Sequence, residues 1–215
     1  MNARQMKITL KEGSFDALIC DCDGTLVDSA AVYLTALQVV LARYGLDIER
    51  EWYLARTGLA PVALLRAYEE QVAPIPAHRE DFLGLVTESF RAHLHTLKEI
   101  TVVADVAREW HGKVPMAVVS NGERANVRGS LGAVGLLDLF DTVVTIEDVR
   151  HGKPQPDIYL VAAKQLRTEP NRCFVFEDTD EGLRAAQSAG MLTLDIRPFL
   201  NLVDANRPKH SLNAG

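Results

Sequence analysis

The sequence contains no run of about eighteen apolar residues, the length a helix needs to cross a bilayer, so no membrane span is expected. Its opening stretch, M-N-A-R-Q-M-K-I-T-L-K-E-G, lacks the apolar segment of a secretion signal, which points to a cytoplasmic location. Cysteine is scarce. Cys20 and Cys173 lie in apolar runs and Cys22 stands between two aspartates, so the three are expected as buried, reduced thiols rather than disulfides. Cys20-Asp21-Cys22 has no second Cys/His pair at zinc spacing, which argues against a zinc site. Positive charge is short as well: 23 Lys and Arg against 29 Asp and Glu leave a net charge of −6. Such a chain is a poor partner for nucleic acid or an anionic membrane surface, and an anionic substrate would need positive charge gathered locally. The only tryptophans, Trp52 and Trp110, read as core rather than as recognition platforms. Internal repeats and low-complexity tracts are absent, and the tail Asn206–Gly215 is expected to be poorly ordered.

What remains is a 215-residue chain, 47% hydrophobic, enough for one ordinary domain or one domain with a modest insert. Five short apolar runs read as buried parallel strands: Phe15–Cys20, Val114–Ser120, Thr142–Ile146, Cys173–Phe176 and Met191–Ile196. From the second onward, helix-length segments separate them, among them Arg124–Val134, Asp157–Gln165 and Glu181–Ala189, the last closed by Gly190. Strand–helix–strand repetition predicts an open α/β sheet covered on both faces. The first connection breaks the rhythm, with roughly ninety residues between Asp21 and Val114, several times the length of one crossover helix. That stretch shows no convincing strand. Ala30–Tyr44, Pro61–Val72 and Arg79–Leu97 are its helical candidates, and Val102–Trp110 returns to the core. A helical subdomain inserted at residues 29–97 is therefore expected, with 1–28 and 98–215 forming the α/β domain.

In open α/β sheets, ligands bind beyond the carboxyl ends of the strands. The first strand runs out in Asp21-Cys22-Asp23-Gly24-Thr25 and the second in Ser120-Asn121-Gly122. Gly152-Lys153-Pro154-Gln155-Pro156-Asp157 follows the third, and Glu177-Asp178 ends the fourth. Each group alone has a bland explanation, as a turn, a helix cap or a surface lysine. Four such coincidences at successive strand ends point instead to one site. Asp21, Asp23, Glu177 and Asp178 cannot crowd together unpaired, and a hard divalent cation with oxygen ligands, Mg²⁺, is the natural counter-charge. Lys153 adds a second positive charge, while Ser120 and neighbouring N–H groups suit phosphoryl oxygens. Phosphoryl transfer needs little beyond a nucleophile, charge neutralisation and in-line positioning. Asp21 can be that nucleophile, giving an aspartyl-phosphate, with Asp23 placed to protonate the leaving alcohol and then to deprotonate water.

These residues resemble the haloacid dehalogenase superfamily of phosphohydrolases. Asp21-Cys22-Asp23-Gly24-Thr25-Leu26-Val27-Asp28-Ser29 is similar to its first motif and Val118-Val119-Ser120-Asn121 to its second. Lys153-Pro154-Gln155-Pro156-Asp157 is similar to the third and Phe176-Glu177-Asp178 to the fourth, so the resemblance runs from Phe15 to Ile196. It implies a Rossmann-like core with an α-helical cap, Mg²⁺ dependence, Asp21 as nucleophile and Asp23 as acid/base. It also implies Thr25, Ser120, Asn121 and Lys153 on the phosphate. Metal ligands would come from Asp21, Asp23 through its backbone carbonyl, Glu177 and Asp178, with Glu177 reaching the ion directly or through water.

The cap resembles those of β-phosphoglucomutase, phosphoglycolate phosphatase and small sugar-phosphate phosphatases. Two departures from the mutase favour a phosphatase acting on a small phosphorylated molecule. Tyr33 stands where the mutase has a cap histidine, and Pro61, in Thr57-Gly58-Leu59-Ala60-Pro61, where it has an arginine for a second phosphate. Arg56 could still reach a substrate, which keeps the mutase as an alternative, and Tyr33, Arg56, Thr57 and Leu59 are candidate substrate-facing residues. His78, His93 and His95 read as surface or interhelical packing. The paired Asp21 and Asp23 argue against the dehalogenase branch. A receiver-type signalling module shares the carboxylates, Mg²⁺ and lysine, but the long helical insert and Asp23 weigh against it. A catalytically silent binding domain is disfavoured because no motif residue is lost. A monomer is expected.

Overall fold

The structure, a computed structural model, describes residues 13–57 and 59–200; the expected loose tail at 206–215 lies outside the described residues. Five parallel strands form the central sheet: β1 (Ala17–Asp21), β4 (Met116–Ser120), β5 (Thr142–Thr145), β6 (Cys173–Glu177) and β7 (Leu192–Asp195). Their order across the sheet is β5-β4-β1-β6-β7. All neighbours pair in parallel, with Cys20 opposite Val118 on one side and Phe176 on the other. All five expected strands are present, displaced at their ends by one or two residues.

Strand periodicity explains the two-sided burial. Leu18 and Cys20 of β1 join Met116, Val118, Phe174 and Phe176 in one apolar cluster. Ala17 and Ile19 join Ala117, Val119, Cys173 and Val175 in the other. The second cluster is covered by α7 (Asp157–Gln165) and α8 (Asp180–Ser188), whose Ala162, Ala163, Ala185 and Ala186 are buried against the sheet. The first is covered by α5 (Thr101–Trp110) and α6 (Arg124–Ala133) and continues into the residues between the first two sheet strands. All three cysteines are buried free thiols.

That intervening segment carries α1 (Ala30–Ala42), α2 (Arg50–Leu54), α3 (Pro61–Gln71) and α4 (Arg79–Ala92). Helix α1 packs on α4 through Val32, Leu34, Leu37, Val40 and Leu41 against Phe82, Val86 and Phe90. Three expectations need correction. The segment does contain strand structure: β2 (Val27–Asp28) and β3 (Lys98–Glu99) pair antiparallel, Val27 opposite Glu99 and Asp28 opposite Lys98. The expected helix 79–97 stops at Ala92, followed by a 3₁₀ turn over Leu94–Thr96. Helix α2 had not been expected. Among the described residues no helix is long and apolar enough to cross a membrane.

Because β4 and β6 flank β1 while the chain runs outward to opposite edges from them, the sheet's direction of growth reverses at β1. A crevice at that reversal, beyond the carboxyl ends of the strands, is where open α/β sheets bind ligands.

Candidate active site

Lys153 is the hub of the residues gathered there. Its Nζ donates to Asp21 Oδ1 at 2.5 Å, to Glu177 Oε1 at 2.6 Å and to the Val119 carbonyl at 3.3 Å. The side chains of Lys153, Asp21 and Glu177 are 5%, 9% and 0% exposed, so this is a buried ion cluster rather than a surface pair. Glu177 is anchored on its other side: Oε2 accepts from the N–H groups of Asp178 and Thr179, both at 2.8 Å, and from the Thr179 hydroxyl at 3.0 Å. Thr179 is the N-cap of α8 and accepts from the Gly182 N–H, so the helix start and the carboxylate are held by one hydroxyl. Gly182 has no substitute here, because a Cβ on it would lie 1.7 Å from Glu177 Oε1.

The loop after β1 turns on Gly24 at φ +88, a left-handed conformation that favours glycine. A Cβ at Gly24 would lie 2.2 Å from Asp178 Oδ2, so the backbone of the first loop comes directly against the last carboxylate. Asp21, Glu177 and Asp178 each offer a carboxylate oxygen, and these lie within 4.8 Å of one another.

Asp23 is set apart from that group. Its Oδ2 accepts from Ser120 Oγ at 3.4 Å, and its carboxylate also takes a hydrogen bond from the Ser29 side chain. Asp23 is exposed, yet protein crowds its carboxyl. Tyr53 of the helical insert lies close enough to feel its charge.

Thr25 and Asn121 are committed to protein partners. Fully buried Thr25 donates to Asp178 Oδ1 at 2.8 Å. The Asn121 amide bonds both the N–H and the carbonyl of Lys153, at 2.9 and 3.2 Å. They support the acidic residue and the lysine loop. Arg56 is likewise occupied within the insert, by the Trp52 carbonyl, Gln71 Oε1 and the Trp52 ring face, 4.1 Å from its Cζ. Thr57 donates to the Leu54 carbonyl, and Leu59 is exposed. Tyr33 is half-buried against Tyr53 and Phe90. His93 and His95 bond helix-end carbonyls, Trp110 is buried against Phe15, and Trp52 lies edge-on to Tyr68.

Two groups were not visible as site residues in the sequence. Ser29 had been only the last letter of a motif. Tyr159 lies inside the expected helix Asp157–Gln165, and its hydroxyl reaches Glu177 Oε1 at 3.3 Å. Its place two residues after Asp157 at the lysine loop is the signal that could have found it.

The protonation pattern follows from charge. Burial raises the Asp21 carboxyl well above its ordinary range and the neighbouring Glu177 and Asp178 push the same way, while Lys153 opposes them. Burial and Glu177 push Asp178 up to about 6. Burial alone would lower the Lys153 ammonium, but Asp21 and its other neighbours hold it well above the usual lysine value, so it stays charged. Crowding also raises Asp23, against the hydrogen bonds from Ser29 and Ser120. With all three ionised, one ammonium faces the carboxylates of Asp21, Glu177 and Asp178 and two unit charges are unmatched, the deficit that draws protons to Asp21 and Asp178. Three hard oxygen donors with that deficit fit a divalent cation.

A parallel α/β sheet with this acidic, lysine-bearing rim defines a hydrolase fold that the comparisons identify: residues 18–196 match the haloacid dehalogenase-like hydrolase family. The chain belongs to that family and is an enzyme of its phosphatase group. It is 35% identical over 188 residues to fructose-1-phosphate phosphatase YqaB of Escherichia coli K12, covering 85% of this chain and 97% of that one. It is 30% identical to validoxylamine A 7′-phosphate phosphatase of Streptomyces hygroscopicus subsp. limoneus, covering 85% of each. The crystal structure of CbbY from Rhodobacter sphaeroides in complex with phosphate superposes with a TM-score of 0.72 at 28% identity, covering 83% of this chain and 84% of that one.

Proposed function

We propose that this protein hydrolyses a small phosphomonoester, a sugar or polyol phosphate, with Mg²⁺ and through a phosphoryl group carried on Asp21. The observation that carries the reading is the buried Asp21–Lys153–Glu177 cluster with Asp178 beside it and Asp23 two residues from Asp21. The relatives named for fructose 1-phosphate and for validoxylamine A 7′-phosphate support the substrate class.

Asp21, Asp178 and Glu177, with the backbone carbonyl of Asp23, would hold the cation, which supplies Lewis-acid neutralisation of phosphoryl oxygens. Lys153 fixes the Oδ1 side of Asp21 and leaves Oδ2 to attack phosphorus. As the new P–O bond forms, the ester P–O bond breaks and Asp23, whose raised carboxyl can hold a proton, protonates the departing alkoxide. Asp23 then takes a proton from water as that water attacks the phosphoryl group, releasing phosphate and restoring Asp21. Ser120 keeps Asp23 oriented through both steps. The helical insert acts as the cap over this rim, with Tyr33 and Tyr53 on its site-facing side.

A phosphate-release screen with Mg²⁺ over fructose 1-phosphate, other sugar phosphates, phosphoglycolate and an aryl phosphate tests the reading. Turnover far beyond one equivalent is expected, whereas a receiver-type module would stop at one. The β-phosphoglucomutase alternative is tested by offering β-glucose 1-phosphate with its bis-phosphate activator. Arg56 held inside the insert favours hydrolysis over a mutase that must grip a second phosphate.

A further inference from the structure

We propose that Tyr159 is a positioning residue of this site, its ring and hydroxyl together holding the Lys153 ammonium at the point where it meets the phosphoryl group. The proposal rests on the phosphatase reading above for what Lys153 does, but the placement of Tyr159 stands on its own geometry.

Tyr159 is completely buried. Its ring belongs to the apolar cluster of Ile19, Val119 and Val175 under the sheet, while its hydroxyl emerges in the ion cluster. There it donates to Glu177 Oε1 at 3.3 Å, the same oxygen that accepts from Lys153 Nζ at 2.6 Å. The ammonium also lies 5.3 Å from the centre of the Tyr159 ring. Nζ therefore has Asp21, Glu177 and the Val119 carbonyl before its three hydrogens and a π face beside it. A buried phenol is costly unless its hydroxyl is paired, and an apolar ring would fill the core as well. The hydroxyl is thus accounted for by the carboxylate it binds.

The purpose follows from the competition for Lys153. Were the ammonium to close entirely on Asp21, it would quench the attacking carboxylate. Glu177, steadied by Tyr159, keeps it shared between two carboxylates. The chain makes this simple: Lys153 stands in the loop four residues before α7 begins at Asp157, and Tyr159 sits in the first turn of that helix, so one short segment sets both.

The test is Tyr159→Phe, which keeps the ring, and Tyr159→Leu, which removes the π face as well. Inorganic phosphate binding by calorimetry with Mg²⁺ is read beside kcat, KM and melting temperature. Tyr159→Phe is expected to weaken phosphate binding and lower kcat by about three- to tenfold, and Tyr159→Leu by about thirtyfold, in line with hydrogen bonds and cation–π contacts to a desolvated ion. The idea is overturned if both variants bind phosphate and turn over within about twofold of the parent, since one hydrogen bond to a charged group exceeds that. It is equally overturned if melting temperature falls while phosphate affinity does not, which would make Tyr159 packing alone. Because phosphate binding is measured directly, a parent enzyme that binds phosphate but hydrolyses none of the esters would sink the functional reading without touching this one.

Discussion

Replacing Lys153 with methionine removes the charge at the centre of the cluster while keeping the length of the side chain. The consequences can be worked from the distances. Asp21, Glu177 and Asp178 present oxygens within 4.8 Å of each other. At an effective dielectric constant near 20, two carboxylates at that separation repel by roughly 3.5 kcal/mol. Proton uptake caps the total, so the loss at pH 8 in the absence of divalent cation should be on the order of 3–5 kcal/mol, as for other broken buried pairs. For a chain of this size that is about 6–20 °C in melting temperature. The pH dependence has a definite sign. Asp178 in the folded protein titrates at about 6, above the ordinary 3.8, so proton binding favours the fold. Its contribution is complete below the ordinary value and is lost as pH rises through about 6. Lys153→Met should therefore be tolerated better at pH 5 than at pH 8. Mg²⁺ should restore part of its stability, because either cation relieves the same repulsion. Phosphate release should not return with it, remaining about 10²–10³-fold down, the size of effect seen when one donor to developing negative charge is lost. Thermal melts at both pH values, with chelator or Mg²⁺, supply the measurement. A variant that melts within about 1 °C of the parent at pH 8 in chelator would refute the cluster electrostatics argued here.

Asp21→Asn should lose phosphate release by about 10⁴-fold or more, as nucleophile deletions do, while its metal-free melting temperature is unchanged or raised because one of three crowded carboxylates is gone; retained turnover would remove Asp21 from the nucleophile's role. Asp23→Asn should lower kcat/KM for a sugar phosphate at least about tenfold more than for an aryl phosphate, whose leaving group needs no acid, and equal losses would argue against acid catalysis. Gly182→Ala forces a methyl to within 1.7 Å of Glu177 Oε1 and should lower both melting temperature and kcat. Gly84→Ala, in α4 with open space around it, should instead stabilise by about 0.5–1 kcal/mol, which denaturant melts of the two variants would resolve.

The legible parts of the fold were those with strong local signatures. β1, β4 and β6 are apolar runs buried on both faces, and each ends in the polar residue that marks the rim, Asp21, Ser120 or Glu177. The two-residue strands β2 and β3 have no periodicity to read, and they exist only because their partners are brought together from positions some seventy residues apart. Helix α2 is five residues long, too short for an amphipathic pattern. In the site, charged residues announced themselves because crowding them demands an explanation. Tyr159 did not, because most of its surface does what any core aromatic does and only its oxygen belongs to the chemistry. Arg56 shows the converse: a guanidinium suggests an anion, but a neighbouring tryptophan and carbonyl satisfied it first.

The antiparallel pair of β2 and β3 means that the chain departs for the helical insert and returns from it through a single doorway, where Val27 meets Glu99 and Asp28 meets Lys98. What lies beyond a doorway of that kind can be lengthened, shortened or exchanged while the five-stranded sheet keeps its register. The insert and the strands that build the sheet thereby occupy separate stretches of the same chain. Ser29, one step past the threshold and bonded to Asp23, is where the two stretches answer to each other.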